Sequence, residues 1–304
     1  MSPDVIIGRS KVVSSSPRRP LSNPLFWGLG KGFFMKEKIG IIGYGHLGSA
    51  LDRGFIRAGY ETVINNGDLV MTRRKLEPIG IERSRARELS QMAEDCVVLA
   101  LCIKSHDLET VGNELSNYLD NRHTVFTFLA QTSLLEVVSV LGDKSLIVRV
   151  MTTLGVAEQK GVSAYQLLES VDLRQIAIVN GLISEISAPG CVFRLNSEEE
   201  IQLFTVAVGC FPGFMAYFLN QLRSRIKQRN EGSLGNYEKV LPVLLGSVSQ
   251  LLIDAGSLQA LQERIATKGG VTSAMIDSLE QSGLGDAIDR SIEAGLKRMQ
   301  LSIK

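Results

Sequence analysis

The sequence predicts an α/β fold, a doubly wound and mostly parallel sheet, followed by an all-helical C-terminal domain. Up to about residue 195, short apolar runs alternate with polar segments of helical periodicity, which is the pattern of strands connected by crossover helices. Beyond Glu198 the strand-like alternation disappears, and apolar residues recur at helical spacing. The third observation is that the first apolar run ends directly in a glycine-rich turn.

This turn lies in residues 38–48, KIGIIGYGHLG. A buried strand, a tight turn and a helix start are typical of Rossmann-type dinucleotide-binding domains. In that geometry Gly43 makes the turn, Gly45 lets the backbone approach a pyrophosphate, and Gly48 lets the helix pack closely on the strand. The sequence therefore predicts a dinucleotide site here.

The helix that starts at the turn presents free backbone N–H groups and a partial positive charge to phosphates. We expect His46 and Leu47 to bind through this backbone, and we assign the His46 side chain no acid–base role. The alternative is a glycine turn that binds nothing. The following run has an apolar helical face and ends at Gly59, which favours the dinucleotide site.

The other elements follow in chain order. Further strands are predicted over residues 68–72, 96–103, 124–130, 146–151, 161–167 and 191–195. Crossover helices are predicted over residues 81–93, 133–141 and 171–186. In the C-terminal part, helices are predicted over residues 199–227, 237–255, 258–265, 272–281 and 287–301, with a polar loop over residues 223–235.

These patterns divide the chain into three regions. Residues 35–197 form the predicted dinucleotide-binding domain, and residues 198–304 form the helical domain. Residues 1–34 are basic, serine-rich and acid-poor, as transit peptides are. Because Met35 directly precedes KEKIGIIG, an upstream start codon is the alternative that we favour. Either way, we expect a disordered or leader extension.

The residues after the predicted second strand indicate which dinucleotide binds. An acidic residue there bonds the ribose 2′-hydroxyl of NAD, whereas an arginine accommodates the 2′-phosphate of NADP. The chain has Thr72, Arg73 and Arg74 at this point and no acid until Glu77. Arginine supplies paired planar donors, and the threonine hydroxyl adds one more. We therefore predict NADPH as the cofactor, with NADH as the second choice and a solvated basic loop as the alternative interpretation.

Composition argues against several other classes of protein. A formal net charge of +1 over 304 residues gives no case for nucleic-acid binding. The four cysteines show no CxxC spacing, so we expect no metal and a reducing compartment. No uninterrupted apolar run approaches the length of a membrane span. The predicted location is cytoplasmic, or organellar if residues 1–34 are a transit peptide.

Four segments resemble the pyrroline-5-carboxylate reductase family, and the resemblance runs from Lys38 to about Ser302. They are IGIIGYGHLGSALDRGFIRAG near the start, ALCIKSHDLETV at residues 100–111, RVM at residues 149–151 and ATKGGVTSAMIDSLEQSGLGDAIDRSIEAGLKR at residues 266–298. The last segment carries the family signature, which is a serine or threonine, a proline, two glycines, a small residue and a threonine. Lys268 replaces the proline, and the matching residues are Thr267, Gly269, Gly270 and Thr272.

The resemblance implies that these four residues bind the substrate and that Thr272 places a proton or hydrogen bond at the imine nitrogen. From the residues alone, a helix N-terminus after two glycines suits a carboxylate, and a glycine turn with a threonine cap is the plainer alternative. Lys104 follows a buried strand at the carboxyl edge of the sheet. We expect it either to contact ribose or nicotinamide or only to solvate the strand end. His106 and Asp107 are nearby candidates for proton donors.

The chain also departs from the family pattern. Residues 152–155, TTLG, replace proline, asparagine, threonine and proline. Residues 208–212, VGCFP, keep only Gly209 and Pro212 of a serine–glycine–serine–glycine–proline segment. His46 replaces a common asparagine, and Ser105 replaces a proline. The resemblance therefore implies a divergent member of the family.

The implied function is that of an oxidoreductase of proline biosynthesis that uses NADPH to reduce a C=N bond. The leading reaction is 1-pyrroline-5-carboxylate to proline, and the substrate class is a small cyclic imino acid. The resemblance also implies a homodimer or larger homo-oligomer built from the C-terminal helices. Two alternatives stay open, namely another NADP-linked oxidoreductase acting on a deazaflavin or a related small substrate, and a non-catalytic dinucleotide-binding protein.

Overall fold

A computed structural model describes residues 38–168, 171–229 and 237–300 of the chain. The predicted extension over residues 1–34 lies outside the described residues and stays a prediction. Part of the predicted loop over residues 223–235 also lies outside them.

Seven strands form one sheet in the order β2-β1-β3-β4-β5-β6-β7. They are β1 (Ile39–Ile42), β2 (Thr62–Asn65), β3 (Val98–Leu101), β4 (Thr124–Thr127), β5 (Leu146–Thr152), β6 (Gly161–Gln166) and β7 (Ser187–Leu195). The strands β1 to β5 pair in parallel, β6 is antiparallel to β5, and β7 is parallel to β6. The predicted mostly parallel, doubly wound sheet is confirmed.

Helices cover both faces of this sheet. They are α1 (His46–Arg57), α2 (Leu69–Leu76), α3 (Leu89–Asp95), α4 (Leu108–Ser116), α5 (Leu134–Leu141) and α6 (Leu173–Ser184). Ile39 and Ile41 pack in one buried apolar cluster with α1 and α6, whereas Ile42 packs in a second cluster with α3, α4 and α5. Because successive strand residues point to opposite faces, the two clusters lie on the two sides of the sheet.

The second strand does not lie where the sequence pattern predicted it. It is Thr62–Asn65, whereas residues 68–72 form the start of α2. Gly67 turns the chain with a φ of 94°, and the Asp68 side chain accepts a hydrogen bond of 2.7 Å from the Met71 N–H. An aspartate cap satisfies a free N–H at a helix start, which favours a helix over a strand here.

The crossover helix predicted over residues 81–93 is also wrong in most of its length. Only α3, Leu89–Asp95, is α-helical there, and Arg83–Arg85 forms a short 3-10 turn. Ala86 forms an isolated parallel bridge with Ile64 of β2, which holds the chain extended beside the sheet. This pairing competes with helix formation before Leu89.

Beyond β7 every described element is helical, as predicted. The elements are α7 (Glu198–Phe204), a π-helix (Thr205–Gly209), α8 (Phe211–Arg229), α9 (Tyr237–Ala255), α10 (Leu258–Ile265), α11 (Val271–Gln281) and α12 (Leu284–Gln300). The α12 helix packs on α7 and on the π-helix, α10 packs on α9, and α11 packs on α12.

Two details of this helical part differ from the prediction. The helix predicted over residues 199–227 is interrupted by the π-helix, so that α7 and α8 are separate elements. The loop predicted over residues 223–235 is helical up to Arg229. Arginine, lysine and glutamine are good helix formers, and Arg225 bonds the Gln221 side chain one turn earlier at 2.6 Å.

Candidate functional site

The three glycines of the turn between β1 and α1 differ in the space that surrounds them. Gly43 has a φ of 92°, and a Cβ atom there would lie 2.7 Å from the Cys102 carbonyl oxygen. A Cβ at Gly48 would lie 2.1 Å from the carbonyl oxygen of Gly43. A Cβ at Gly45 would meet nothing within 4 Å. The first and third glycines therefore allow close packing, and the second opens onto free space.

Helix α1 begins at His46, directly after Gly45. Among the described residues, no hydrogen bond occupies the N–H groups of His46, Leu47 or Gly48, as expected for a helix start. The His46 side chain is exposed. These N–H groups are therefore available to an anion in front of the turn.

The end of β3 lies against this turn. Cys102 donates its N–H to the Ile42 carbonyl at 2.7 Å, which holds the two strand ends together. Lys104 is exposed two residues further on, and it lies at the same carboxyl edge of the sheet as the glycine turn. His106 and Asp107 face each other at 3.5 Å between Nε2 and Oδ1, and both side chains are largely exposed.

The segment after β2 is arranged differently from the sequence prediction. Thr72 is fully buried, and its hydroxyl accepts the Asn66 N–H at 2.8 Å, so that it supports the loop instead of facing a ligand. Arg73 and Arg74 are exposed on α2. Arg73 lines an edge cleft of about 470 Å³ together with Arg83, Ser84, Arg87 and residues of α3.

The predicted substrate residues form a tight turn between α10 and α11. The Gly270 N–H bonds the Thr267 carbonyl at 2.9 Å, and Gly269 has a φ of 74°. This combination is that of a type II turn, whose second position suits proline and also accepts Lys268. Gly270 caps α11 without a side-chain bond, and Thr272 is exposed in its first turn.

The first N–H groups of α11 are free in the same way as those of α1. Among the described residues, no hydrogen bond occupies the N–H groups of Val271, Thr272 or Ser273. No hydrogen bond or ion pair of the described residues joins this segment to the glycine turn. Apart from the buried Thr72, the predicted cofactor residues lie at or beside the carboxyl edge of the sheet, whereas the predicted substrate residues lie at the head of α11.

The altered segment after β5 is held by hydroxyl groups. The Thr152 hydroxyl bonds the Ser163 hydroxyl at 2.7 Å, and Ser163 bonds Ser187 at 2.7 Å. Thr153 accepts the Val162 N–H at 3.2 Å. These contacts fix the segment where the family pattern has prolines.

Sequence reasoning did not identify the role of Arg149. Its side chain is buried on β5, donates to the Ala130 carbonyl at 3.1 Å and pairs with Glu198 at the start of α7. Burial lowers the pKa of Arg149 to about 10, and the charge of Glu136 opposes this shift. The pair links the sheet to the first C-terminal helix. The acidic triplet at residues 198–200 does not indicate this pair in the sequence, because acidic residues in a first helical turn also suit the helix dipole.

Comparisons with known proteins match both parts of the chain. The family model for pyrroline-5-carboxylate reductase dimerisation matches residues 198–301. The family model for NADP oxidoreductases that depend on coenzyme F420 matches residues 38–131.

Relatives and solved structures extend these matches over most of the chain. A pyrroline-5-carboxylate reductase of Methanobrevibacter smithii is 25% identical over 251 residues, which cover 80% of this chain and 97% of the relative. The 1-pyrroline-5-carboxylate reductase of Streptococcus pyogenes superposes with a TM-score of 0.74 at 22% identity, covering 86% of this chain and 98% of that one. The pyrroline carboxylate reductase of Plasmodium falciparum, solved with NADP bound, superposes with a TM-score of 0.72 at 18% identity, covering 87% and 97%. At these identities the structural likeness establishes the fold.

The resemblance that the sequence motifs indicated is confirmed by these matches. Together they support a member of the pyrroline-5-carboxylate reductase family.

Proposed function

We propose that the protein reduces a cyclic imino acid with NADPH, and that 1-pyrroline-5-carboxylate, giving proline, is the leading substrate. The observation that carries this proposal is the head of α11, where free N–H groups and the Thr272 hydroxyl lie on one turn within residues matched by the dimerisation model. In 1-pyrroline-5-carboxylate the carbon that carries the carboxylate is bonded to the ring nitrogen. The N–H groups would then bind the carboxylate while the Thr272 hydroxyl bonds the nitrogen.

The residues of the glycine turn fit a dinucleotide, because the space in front of Gly45 is open and the N–H groups of His46 and Leu47 are free. Lys104 lies at the same sheet edge and is assigned to the ribose or nicotinamide. When bound, NADPH supplies the hydride that adds to the imine carbon. The contribution of the chain is to hold and orient the two reactants and to neutralise the carboxylate.

We assign the 2′-phosphate of NADPH to Arg73 and Arg74. Asn65 and Asn66, which end β2 and follow it, both use their amide side chains internally. Asp68, the nearest acid, accepts the Met71 N–H as the cap of α2. The exposed arginine pair then supplies the charge that a phosphate requires.

Among the described residues, no hydrogen bond or ion pair joins the proposed substrate residues to the proposed cofactor residues, and an assembly could complete the site from two copies. The match to a dimerisation domain supports a homo-oligomer, and we propose a homodimer or a larger homo-oligomer. Among the described residues, the helical stretch Glu198–Gln228 is also long and apolar enough to cross a membrane, and an 18-residue window of it has a mean hydropathy of 1.6. A single helix of this kind is weak evidence for a membrane span, and a contact between subunits accounts for the same apolar surface.

We further propose a division into a cofactor domain over residues 35–197 and a substrate and dimerisation domain over residues 198–304. The proposed location is the cytoplasm. Its reducing conditions suit the free cysteines Cys96, Cys102, Cys191 and Cys210.

The experiment that tests this function follows NADPH oxidation by the full chain at 340 nm against a panel of cyclic imines. The panel contains 1-pyrroline-5-carboxylate, 1-pyrroline-2-carboxylate, the six-membered ring analogues and a deazaflavin. We expect turnover with five-membered imino acids and formation of the saturated ring product. Turnover of the deazaflavin alone would favour the oxidoreductase class that shares the first domain. NADPH binding without turnover of any member would favour a dinucleotide-binding protein without catalysis.

A further inference from the structure

The side chain of Tyr44 lies between the glycines of the turn but points into the protein. It is 4% exposed and belongs to the buried cluster on the α1 side of the sheet. Its hydroxyl donates to Oδ2 of Asp52 at 2.7 Å. Burial raises the pKa of Tyr44 far above its usual value, and the hydrogen bond to Asp52 adds to this shift, so the hydroxyl stays a donor.

Asp52 connects this tyrosine to two further elements. Its carboxylate is on α1 and is 1% exposed. The Thr62 hydroxyl of β2 donates to Oδ1 at 2.5 Å, and Arg85 pairs with the same oxygen. Arg85 also donates to the Thr62 carbonyl at 3.1 Å. The buried carboxylate therefore has donors from the turn, from β2 and from the segment beside β2.

The backbone of Tyr44 is held from the other side. Its N–H donates to the Asn66 side-chain oxygen at 2.8 Å, and the Asn66 N–H in turn donates to the buried Thr72 hydroxyl at 2.8 Å. Tyr44 is thus fixed both through its side chain and through its main chain. The second and third residues after it, His46 and Leu47, carry the free N–H groups of the proposed phosphate site.

We propose that Tyr44, Asp52 and Arg85 are positioning residues that hold the glycine turn in the shape that binds the coenzyme pyrophosphate. None of them reaches the open space in front of Gly45 in this arrangement. Asp52 and Arg85 carry opposite charges, so the pair adds no net charge that would attract a phosphate. Their effect is to hold the N–H groups of His46 and Leu47 in place before binding, which lowers the entropic cost of association.

The inference rests on the proposed coenzyme site and makes a separate prediction about it. Both NADPH and NADH carry the pyrophosphate, so a looser turn must weaken the two coenzymes equally. The hydride step itself involves none of these residues. The expected signature is a raised KM and Kd for both coenzymes with kcat at saturating coenzyme retained.

The test uses Tyr44→Phe in the full chain, because phenylalanine keeps the ring and removes only the hydroxyl. We expect Kd for NADPH and for NADH to rise together by roughly three- to tenfold, the equivalent of one hydrogen bond. Asp52→Asn keeps the shape of the side chain and should act in the same direction. In the double variant the two effects should be less than additive, because both substitutions affect the contact between Tyr44 and Asp52. Tyr165→Phe, on a tyrosine of β6 that is 2% exposed, is the matched control and should leave both Kd values unchanged.

Coenzyme fluorescence titration gives the Kd values, and thermal unfolding without coenzyme gives the stability. A lower melting temperature for Tyr44→Phe with unchanged Kd values would mean that the hydroxyl is merely structural, and would overturn the proposal. Weakening of NADPH alone would also overturn it, because the effect would then lie at the 2′-phosphate. A parent chain that binds neither coenzyme would overturn the proposed function and this inference together.

Discussion

Thr272 is the single residue on which the proposed chemistry depends most. It lies in the first turn of α11 with its N–H free among the described residues, and its hydroxyl is available to a bound ring nitrogen. A hydrogen bond that strengthens as the nitrogen changes its charge lowers the barrier more than it stabilises the bound substrate. The proposed role of Thr272 therefore predicts an effect on turnover and none on coenzyme binding.

We expect Thr272→Val to lower kcat by one to two orders of magnitude, about 1.4–2.8 kcal/mol, with a smaller change in substrate KM. Valine keeps the β-branched shape and removes the hydroxyl. The measurement is steady-state kinetics with the best imine of the panel, together with NADPH titration, which should be unchanged. Thr124→Val makes the same change at the first residue of β4, outside the helical domain, and serves as the control. Parental turnover in the Thr272 variant would leave α11 as only a capped helix.

Cys96 predicts how stability responds to alkaline pH. Burial raises the pKa of Cys96 from 9.0 to about 12, and the charge of Asp95 adds to this shift. The thiol of the unfolded chain ionises near pH 9 while the folded one stays protonated. Its contribution to stability is therefore complete below pH 9 and is lost as the pH rises toward 12, by up to about 1.4 kcal/mol per pH unit.

Between pH 8 and pH 10 we expect the parent chain to lose about 1 kcal/mol more free energy of unfolding than Cys96→Ala loses. Denaturant unfolding at both pH values gives the change in the free energy of unfolding for each protein. The cavity left by the substitution lowers this free energy equally at both pH values, so it does not affect the comparison. Cys210→Ala, at an exposed cysteine, should lose as much as the parent. An identical pH dependence in parent and Cys96→Ala would contradict the role of burial.

At the scale of elements, the proposed 2′-phosphate site assigns the choice of coenzyme to α2. Arg73 and Arg74 are exposed on this helix, and Lys75 follows them on the next position. Arg73→Ala/Arg74→Ala should weaken NADPH by roughly ten- to a hundredfold, since a charge-assisted hydrogen bond contributes about 1.5–3 kcal/mol. NADH should change little. Lys75→Ala is the control, because it removes a neighbouring positive charge and should change the Kd for NADPH much less than the arginine substitutions do. If the arginine substitutions raise the Kd for NADPH and for NADH equally, the assignment is refuted.

The contact between β5 and α7 depends on the pair Arg149–Glu198. Arg149 is 1% exposed, whereas the Glu198 side chain is 35% exposed, so water screens part of the interaction. Removal of the partner leaves a buried cation with an unmatched charge. We expect Glu198→Gln to lower the free energy of unfolding by about 1–2 kcal/mol.

Glu199→Gln is the matched control for this pair, because Glu199 lies in the same first turn and has the same relation to the helix dipole. It should change stability by less than about 0.5 kcal/mol. Denaturant unfolding measures both variants. Equal effects would assign the contribution to the dipole rather than to Arg149.

The elements that could be predicted from the sequence are those whose signal lies within a few neighbouring residues. The glycine turn is local, because its geometry follows from three glycines within six residues, and both free space and close packing appear where they were expected. The second strand was misplaced because DLVMT has enough apolar residues for a strand, and the cap at Asp68 outweighs that pattern. The strand itself, TVIN, is too short for its alternation to be distinctive.

Contacts between distant residues were out of reach for a different reason. Arg149 and Glu198 lie 49 positions apart, and Asp52 and Arg85 lie 33 apart. Nothing in either neighbourhood indicates a partner, because a buried ion pair is recognisable only once the sheet and its helices are assembled. The substrate residues were identified through the family resemblance, since a glycine turn before a helix has the same local pattern with or without a ligand.

At the scale of the whole molecule, the helical domain leaves much apolar surface exposed that the single chain does not bury. No residue of the 19-residue helix α9 is buried within the chain. Val243 is 69% exposed and Ile253 is 71% exposed on this helix. Apolar surface of this extent is typical of an interface, and the match to a dimerisation domain supports a second copy of the chain as the partner.

Val243→Glu should therefore shift the equilibrium from the assembly toward the monomer. In a two-fold interface each substitution occurs twice, and burying a valine side chain contributes about 1.5–3 kcal/mol, so the dissociation constant should rise by roughly two to four orders of magnitude. Light scattering coupled to gel filtration, over a range of protein concentrations, measures the change in mass.

Leu173→Glu is the matched control, because Leu173 is 83% exposed on α6, outside the residues matched by the dimerisation model. If the proposed site is completed only in the assembly, turnover should fall with the fraction of dimer while the isolated chain still binds NADPH at the glycine turn. A Val243→Glu protein that keeps the parental mass at every concentration would show that α9 lies outside the interface.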